Sequence, residues 1–228
     1  MKSETKEIKF IATPDKGEVS AILTVPEQAG QLLVLGHGAS SNMRSPLVST
    51  LAERLAGRGV ATFRYNFPYS EKGGGRNSNA TCVATVRSAV AAARDDAPGL
   101  KLFAGGHSFS GRMTSTAASE SPLAGVEGLV FFGFPLHPAG KAGTERAVHL
   151  SSVSVPMLFL SGTRDALAEL DLLGPTVADL SDATLHLIDT ADHSYKILKR
   201  SRKGEDDAFD EAARVAAGWM AEIAAATN

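Results

Sequence analysis

The sequence predicts an α/β fold: a mostly parallel sheet with helices on both faces. Three observations carry this. The chain opens on a short strand pair and then alternates apolar runs with segments of helical periodicity. Its 228 residues, 43% hydrophobic and 21% charged, suffice for one large α/β domain with a sizeable core. Its chemistry-bearing residues cluster just after apolar runs, where ligands bind on such sheets.

Residues 7–12 (EIKFIA) and 20–26 (SAILTVP) read as an antiparallel pair around the turn signal Pro14-Asp15-Lys16-Gly17. Leu32–Leu35 is a strand ending in Gly36-His37-Gly38. Ser45-Pro46 then reads as a cap and first helical position, with Leu47, Val48, Leu51 and Leu55 on one face and Gly57 and Gly59 as the stop. Val60–Phe67 is the next strand and Lys72–Arg76 a Gly-rich loop. Cys82, Val83, Val86, Ala89, Val90 and Ala93 follow helical spacing up to Pro98-Gly99. Leu100–Ala104 is a strand, followed by AGGHSFSGR and a helix. Gly128–Phe134, Pro156–Ser161 and Ala183–Ile188 are further strands. A last helix starts near Asp206, with Phe209, Ala213, Ala216, Met220 and Ile223 inward. No linker or repeat interrupts this order, so residues 1–228 are expected to form a single domain.

Composition narrows the function classes. A formal net charge of -2 gives no global basic field, so nucleic acid is not an expected partner. No apolar run approaches the length of a membrane span, and MKSETKEIKF lacks the apolar core of a signal peptide. Cys82 is the single cysteine, which excludes an internal disulfide and fits a reducing compartment. A cytoplasmic protein is expected, with no membrane partner. No metal constellation or cofactor motif is visible, and Gly73-Gly74-Gly75 lacks the context of a phosphate loop.

Ser108, Asp165 and His193 each follow a strand, in the order Ser, Asp, His. A serine hydroxyl is a weak nucleophile near neutrality and needs a base such as imidazole. The imidazole needs a carboxylate to fix its tautomer. Gly106 lets the turn pass close to its neighbours. The position two after Ser108 is Ser110 where glycine is usual, so the motif reads G-x-S-x-S-G. An acyl-transfer site also needs backbone N–H donors for an oxyanion. Phe109, after the nucleophile, and Ala39, in the loop after an earlier strand, are the candidates.

With LGHGAS at 35–40, FRYNFPY at 63–69, GGHSFSGR at 105–112, GFPLHP at 133–138, LSGTRD at 160–165 and ADHSY at 191–195, the chain resembles the α/β-hydrolase superfamily. It is most similar to small members of the dienelactone-hydrolase-like kind. The resemblance implies an eight-stranded, mostly parallel sheet and a serine hydrolase of carboxylesterase-like type. It carries Ser108, Asp165 and His193 over to a catalytic triad, and Ala39 and Phe109 to the oxyanion hole. Dienelactone hydrolases use a cysteine where this chain has Ser108, a departure from that family's pattern at the nucleophile itself.

Asp189 and Asp192 are rival acids: Asp192 adjoins His193 too closely to face its ring squarely, and Asp189 reads as a strand-end cap. Among other histidines, His107 is expected to flank the nucleophile and point away from the site. Little sequence is spare for a lid, so an open site for a small acyl substrate is expected, with His37, Phe67, Tyr69 and His137 as possible pocket residues. Arg44, Lys72, Arg112 and Arg164 lie near motif loops and are candidates to recognise a carboxylate. Lys196, Lys199, Arg200, Arg202 and Lys203 read as a solvated face. The competing reading is a non-catalytic binding or scaffold module on the same fold. Either a monomer or a homodimer is compatible with the sequence.

Overall fold

A computed structural model describes residues 2–202 and 207–226. Its centre is one eight-stranded sheet with the order β1-β2-β4-β3-β5-β6-β7-β8. Strands β1 (Ser3–Thr13) and β2 (Gly17–Pro26) form an antiparallel hairpin, and β2 runs antiparallel to β4 (Val60–Tyr65). From β4 the sheet is parallel through β3 (Gln31–Gly36), β5 (Lys101–His107), β6 (Val126–Phe132), β7 (Met157–Gly162) and β8 (Ala183–Ile188).

Successive side chains of the central parallel strands enter two separate cores, which is why their runs are almost continuously apolar. Leu32 and Val34, Leu129 and Phe131, and Met157 and Phe159 pack on one face. Leu33 and Leu35, Val130 and Phe132, and Leu158 and Leu160 pack on the other. The first face is covered by α3 (Asn79–Asp96), α4 (Phe109–Glu120) and α5 (Leu170–Ala178). The second is covered by α1 (Pro46–Ala56) and α6 (Ala208–Ala226). Cys82 is buried on α3, and Trp219 of α6 meets the Phe103 ring edge-on with centroids 6.0 Å apart.

The departures from the sequence reading have local causes. Strand β4 ends at Tyr65 rather than Phe67, because Pro68 occupies the first position of a short helix, α2 (Pro68–Lys72), for which Phe67 is the cap. Helix α5 was not foreseen: Gly174 and Pro175 lie inside it and mask its pattern. A 3-10 helix, Glu145–Ser152, occupies part of the insertion after β6. Arg202 is not on a solvated face. It donates to the Asp189 carbonyl at 2.7 Å and pairs with Glu211, with its side chain 3% exposed. Lys203 and Asp206, named as part of that face and as the start of the last helix, lie outside the described residues.

The strand register decides where chemistry can assemble. Gly36 pairs with Gly106, and Gly162 with Ile188, so β3, β5, β7 and β8 end along one rim. The loops carrying Ala39, Ser108, Asp165 and His193 all leave from that rim.

Candidate active site

Ser108 sits between β5 and α4 with φ 54° and ψ -111°, a left-handed region that costs a non-glycine residue of order 1–3 kcal/mol. The surroundings impose it. The Ser108 N–H donates to the Phe132 carbonyl at 3.0 Å, and the Arg112 N–H donates back to the Ser108 carbonyl at 3.2 Å. The turn is tight enough that a Cβ on Gly105 would lie 1.8 Å from the Val130 carbonyl oxygen. One on Gly106 would lie 2.2 Å from Ser110 Oγ. Ser110, the departure from the usual glycine, is accommodated because Gly36 and Gly106 face it. Its hydroxyl is buried and donates to the His107 carbonyl at 3.1 Å.

The three residues singled out by the sequence come together. Ser108 Oγ lies 2.8 Å from His193 Nε2, and His193 Nδ1 lies 2.8 Å from Asp165 Oδ2. Asp165 has a fully buried side chain, and its Oδ1 accepts the Leu167 N–H at 2.9 Å. A carboxylate can only accept, so His193 carries its proton on Nδ1 and offers the Nε2 lone pair to the serine hydroxyl. The partner of His193 Nδ1 is Asp165 and neither rival acid. Asp192 Oδ1 accepts the N–H groups of Ser194 and Lys196 at 2.8 and 3.0 Å, shaping the loop that presents the imidazole. The Asp189 carbonyl is held by Arg202. Thr190 and Tyr195, on either side of His193, also have positive φ, and the buried Tyr195 hydroxyl anchors the loop by donating to the Leu160 carbonyl at 3.0 Å.

His107 corrects the sequence reading. It points toward the site, not away. Its ring centroid is 5.1 Å from that of His193, and its Nε2 donates to the His193 carbonyl at 3.0 Å. Burial drives its pKa down to about 4, so the ring is neutral near pH 7. His37 behaves likewise, with its pKa lowered to about 4 by burial. Its Nδ1 donates to the Gly38 carbonyl at 2.7 Å and its Nε2 accepts the Phe67 N–H at 3.4 Å, which fixes the entrance to the Ala39 loop. The Ala39 and Phe109 N–H groups have no hydrogen-bond acceptor among the described residues. Phe109 opens α4, where such donors are left over by geometry.

A cleft of about 680 Å³ opens over Ser108 and His193, walled by Gly38, Ala39, Leu47, His107, Leu167 and Phe209. A smaller one of about 360 Å³ shares Ala39, Ser40 and Ser41 with it and continues to Tyr69, Gly74 and Arg76. Of the pocket residues expected from sequence, only Tyr69 lines either cleft. His37, Phe67 and His137 are fully buried behind the wall. The His137 ring faces the Glu169 carboxylate and its backbone N–H donates to the Leu167 carbonyl at 3.3 Å, bracing the acid loop. Leu47 was within reach of sequence reasoning, since α1 starts just after the Ala39 loop. Phe209 reaches the site from the far end of the chain and gave no local signal. Another groove of about 700 Å³, between Ser49, Arg54, Arg64 and Asp210, contains none of Ser108, Asp165 or His193.

A family model described as an alpha/beta hydrolase domain matches residues 29–221. Among solved structures, a dienelactone hydrolase from Anabaena variabilis is 20% identical with a TM-score of 0.75, over 97% of this chain and 99% of that one. Est1E from Butyrivibrio proteoclasticus is 15% identical with a TM-score of 0.70, over 96% and 99%. An α/β serine hydrolase without a lid from Xanthomonas campestris is 17% identical with a TM-score of 0.69, over 98% and 94%. At these identities the likeness is one of fold. No helix among the described residues is long and apolar enough to cross a membrane.

Proposed function

The chain belongs to the alpha/beta hydrolase domain family, and from that premise we propose that it is a serine hydrolase acting on a small acyl ester. The observation that carries this reading is the hydrogen-bond chain Asp165–His193–Ser108, 2.8 Å at each link, on a serine held in a strained turn. His193 Nε2 takes the hydroxyl proton as Ser108 Oγ attacks the acyl carbonyl. Asp165 stabilises the imidazolium that forms. The carbonyl oxygen gathers negative charge beside the unpaired N–H groups of Ala39 and Phe109. His193 then gives its proton to the departing alcohol oxygen as the carbon–oxygen bond breaks. Water, deprotonated by the same ring, attacks the acyl-serine and releases the acid. No oxidant or metal is required for any of these steps.

The shallow, open clefts fit small or short-acyl substrates. The test is a p-nitrophenyl ester series, acetate to dodecanoate, with the parent and Ser108→Ala. Short esters are expected to be preferred, and the variant is expected to lose about 10⁴- to 10⁶-fold in kcat. A fluorophosphonate probe should label the parent at Ser108. Full turnover by Ser108→Ala on the esters the parent cleaves would end this reading. Absence of both turnover and labelling would return the chain to the binding-module class.

A further inference from the structure

Three arginines influence one another beside the site with no acid to pair with among the described residues. Arg112 lies one turn along α4 from Phe109, with its guanidinium 5.8 Å from the centre of the Phe109 ring. Arg76, from the loop after α2, lies 5.0 Å from the same ring centre. Arg146 stands on the 3-10 helix, which packs against α4. That helix is pinned there by a 2.7 Å hydrogen bond between His149 Nε2 and the buried Ser115 Oγ. Burial, then the neighbouring Arg146 and Arg76, hold Arg112 below the usual guanidinium range. Burial and Arg76 do the same to Arg146.

The arrangement costs free energy in the absence of a counter-ion. Among the described residues, none of the three has a carboxylate within ion-pair distance or a hydrogen-bond acceptor. Several other arginines have partners. Arg44 pairs with Glu7 at 2.7 Å, Arg54 with Asp210 at 3.1 Å, and Arg164 donates to the Thr190 carbonyl at 3.1 Å. Lys72 donates to the Lys16 carbonyl at 2.5 Å. Of the four basic residues the sequence offered as anion-recognising, only Arg112 remains uncommitted. The cluster is also continuous with the chemistry. Phe109 follows Ser108 directly, and Arg76 walls the cleft that shares Ala39 with the Ser108 cleft.

We infer that Arg76, Arg112 and Arg146 form an anion subsite that receives a phosphate group carried by the acyl substrate. The inference rests on the serine-hydrolase reading for where the scissile bond lies. One carboxylate would leave two of three positive charges uncompensated. A phosphate monoester carries between about one and a half and two negative charges near neutrality, with three oxygens to accept from guanidinium forks. Contact with the Phe109 ring helps to hold Arg76 and Arg112 in place before the anion arrives.

The experiment compares kcat/KM for 2-acetoxyethyl phosphate, 3-acetoxypropanoate and ethyl acetate, and measures binding of 2-hydroxyethyl phosphate by calorimetry. Three variants accompany the parent: Arg112→Gln, the more peripheral Arg146→Gln, and Arg94→Gln, which removes one charge from the far end of α3. The phosphate ester is expected to exceed ethyl acetate about 100-fold. Arg112→Gln and Arg146→Gln should each cut that ratio about ten-fold and weaken 2-hydroxyethyl phosphate in parallel, while Arg94→Gln changes neither. A parent ratio near one would overturn the inference, as would equal losses in Arg146→Gln and Arg94→Gln. A larger preference for the carboxylate ester would overturn the phosphate assignment. Failure of the hydrolase reading shows differently. No ester would be cleaved, yet 2-hydroxyethyl phosphate would still bind in an Arg146-dependent way.

Discussion

The two flanks of Ser108 are built on opposite terms. On the histidine flank the groups are matched. Both ring nitrogens of His193 and both carboxylate oxygens of Asp165 have partners, and the His193 carbonyl accepts from His107. On the Phe109 flank three like charges gather with no acid between them among the described residues. Both flanks need close packing, but one spends it on holding a proton in a defined place and the other on leaving charge uncompensated. The difference teaches where to look for each kind of role. Matched groups specify geometry, so changing one should cripple chemistry. Unmatched groups lack a partner among the described residues, so changing one should relax the fold and blunt recognition.

The largest effect is expected on the matched flank. Asp165→Asn keeps an oxygen for the Leu167 N–H, so the acid loop retains its anchor. The new amide, however, turns a donor toward His193 Nδ1. That nitrogen must then accept, the ring proton moves to Nε2, and Nε2 can no longer take the proton of Ser108. A fall of about 10⁴ in kcat is expected with a thermal midpoint close to that of the parent. The checks are burst kinetics on p-nitrophenyl acetate and a thermal melt. An Asp165→Asn enzyme with near-parent kcat would remove Asp165 from the proposed role.

This contrast also marks what could be read from sequence. The matched flank was legible because each member has a recognisable chemistry and a strand end before it: Ser108 after β5, Asp165 after β7, His193 after β8. Strand order did not need to be known, since all parallel strands finish on one rim. The fold class followed from the same alternation. Helix α5 stayed hidden because Gly174 and Pro175 break its pattern. The arginine flank was mostly illegible. Arg76, Arg112 and Arg146 belong to a loop, a helix and a 3-10 helix far apart in the chain, and nothing local distinguishes them from the paired Arg44 or Arg164. What sets them apart is the absence of a partner, which only three-dimensional placement reveals. His107 was misread for a related reason: which way a residue beside a strained turn points depends on that turn's dihedrals.

A smaller effect is expected from two neutral histidines beside the matched flank, the buried His37 and the half-buried His107. Burial lowers the pKa values of His37 and His107 from the ordinary 6.5 to about 4. Below pH 6.5 the unfolded chain takes up protons that the folded chain refuses until about pH 4. Stability is therefore full above pH 6.5 and declines as pH falls toward 4. Each histidine should contribute on the order of 2–3 kcal/mol to that decline. Urea unfolding at pH 7 and pH 4.5 measures it. His37→Asn, which keeps a donor near the Gly38 carbonyl, should flatten the decline even if it lowers stability at pH 7. An equal pH dependence in parent and variant would show that His37 is not held neutral.

The smallest effect tests the unmatched flank, and its sign matters more than its size. Arg146→Gln retains part of the aliphatic stem while removing one of three repelling charges. At low ionic strength and without added anions, it should raise stability by about 0.5 kcal/mol, a rise of about 1–2 °C in Tm. Arg54→Gln provides the opposite case, because Arg54 is paired with Asp210 at 3.1 Å and lies near Asp207 at 3.6 Å. It should lower Tm by a similar amount. Both differences should shrink in 1 M sodium chloride, where the Debye length falls to about 3 Å. A destabilised Arg146→Gln at low salt would mean that Arg146 is matched after all, and the contrast between the flanks would fail there. A stabilised Arg146→Gln that also loses its preference for the phosphate ester would show one residue trading fold stability for recognition.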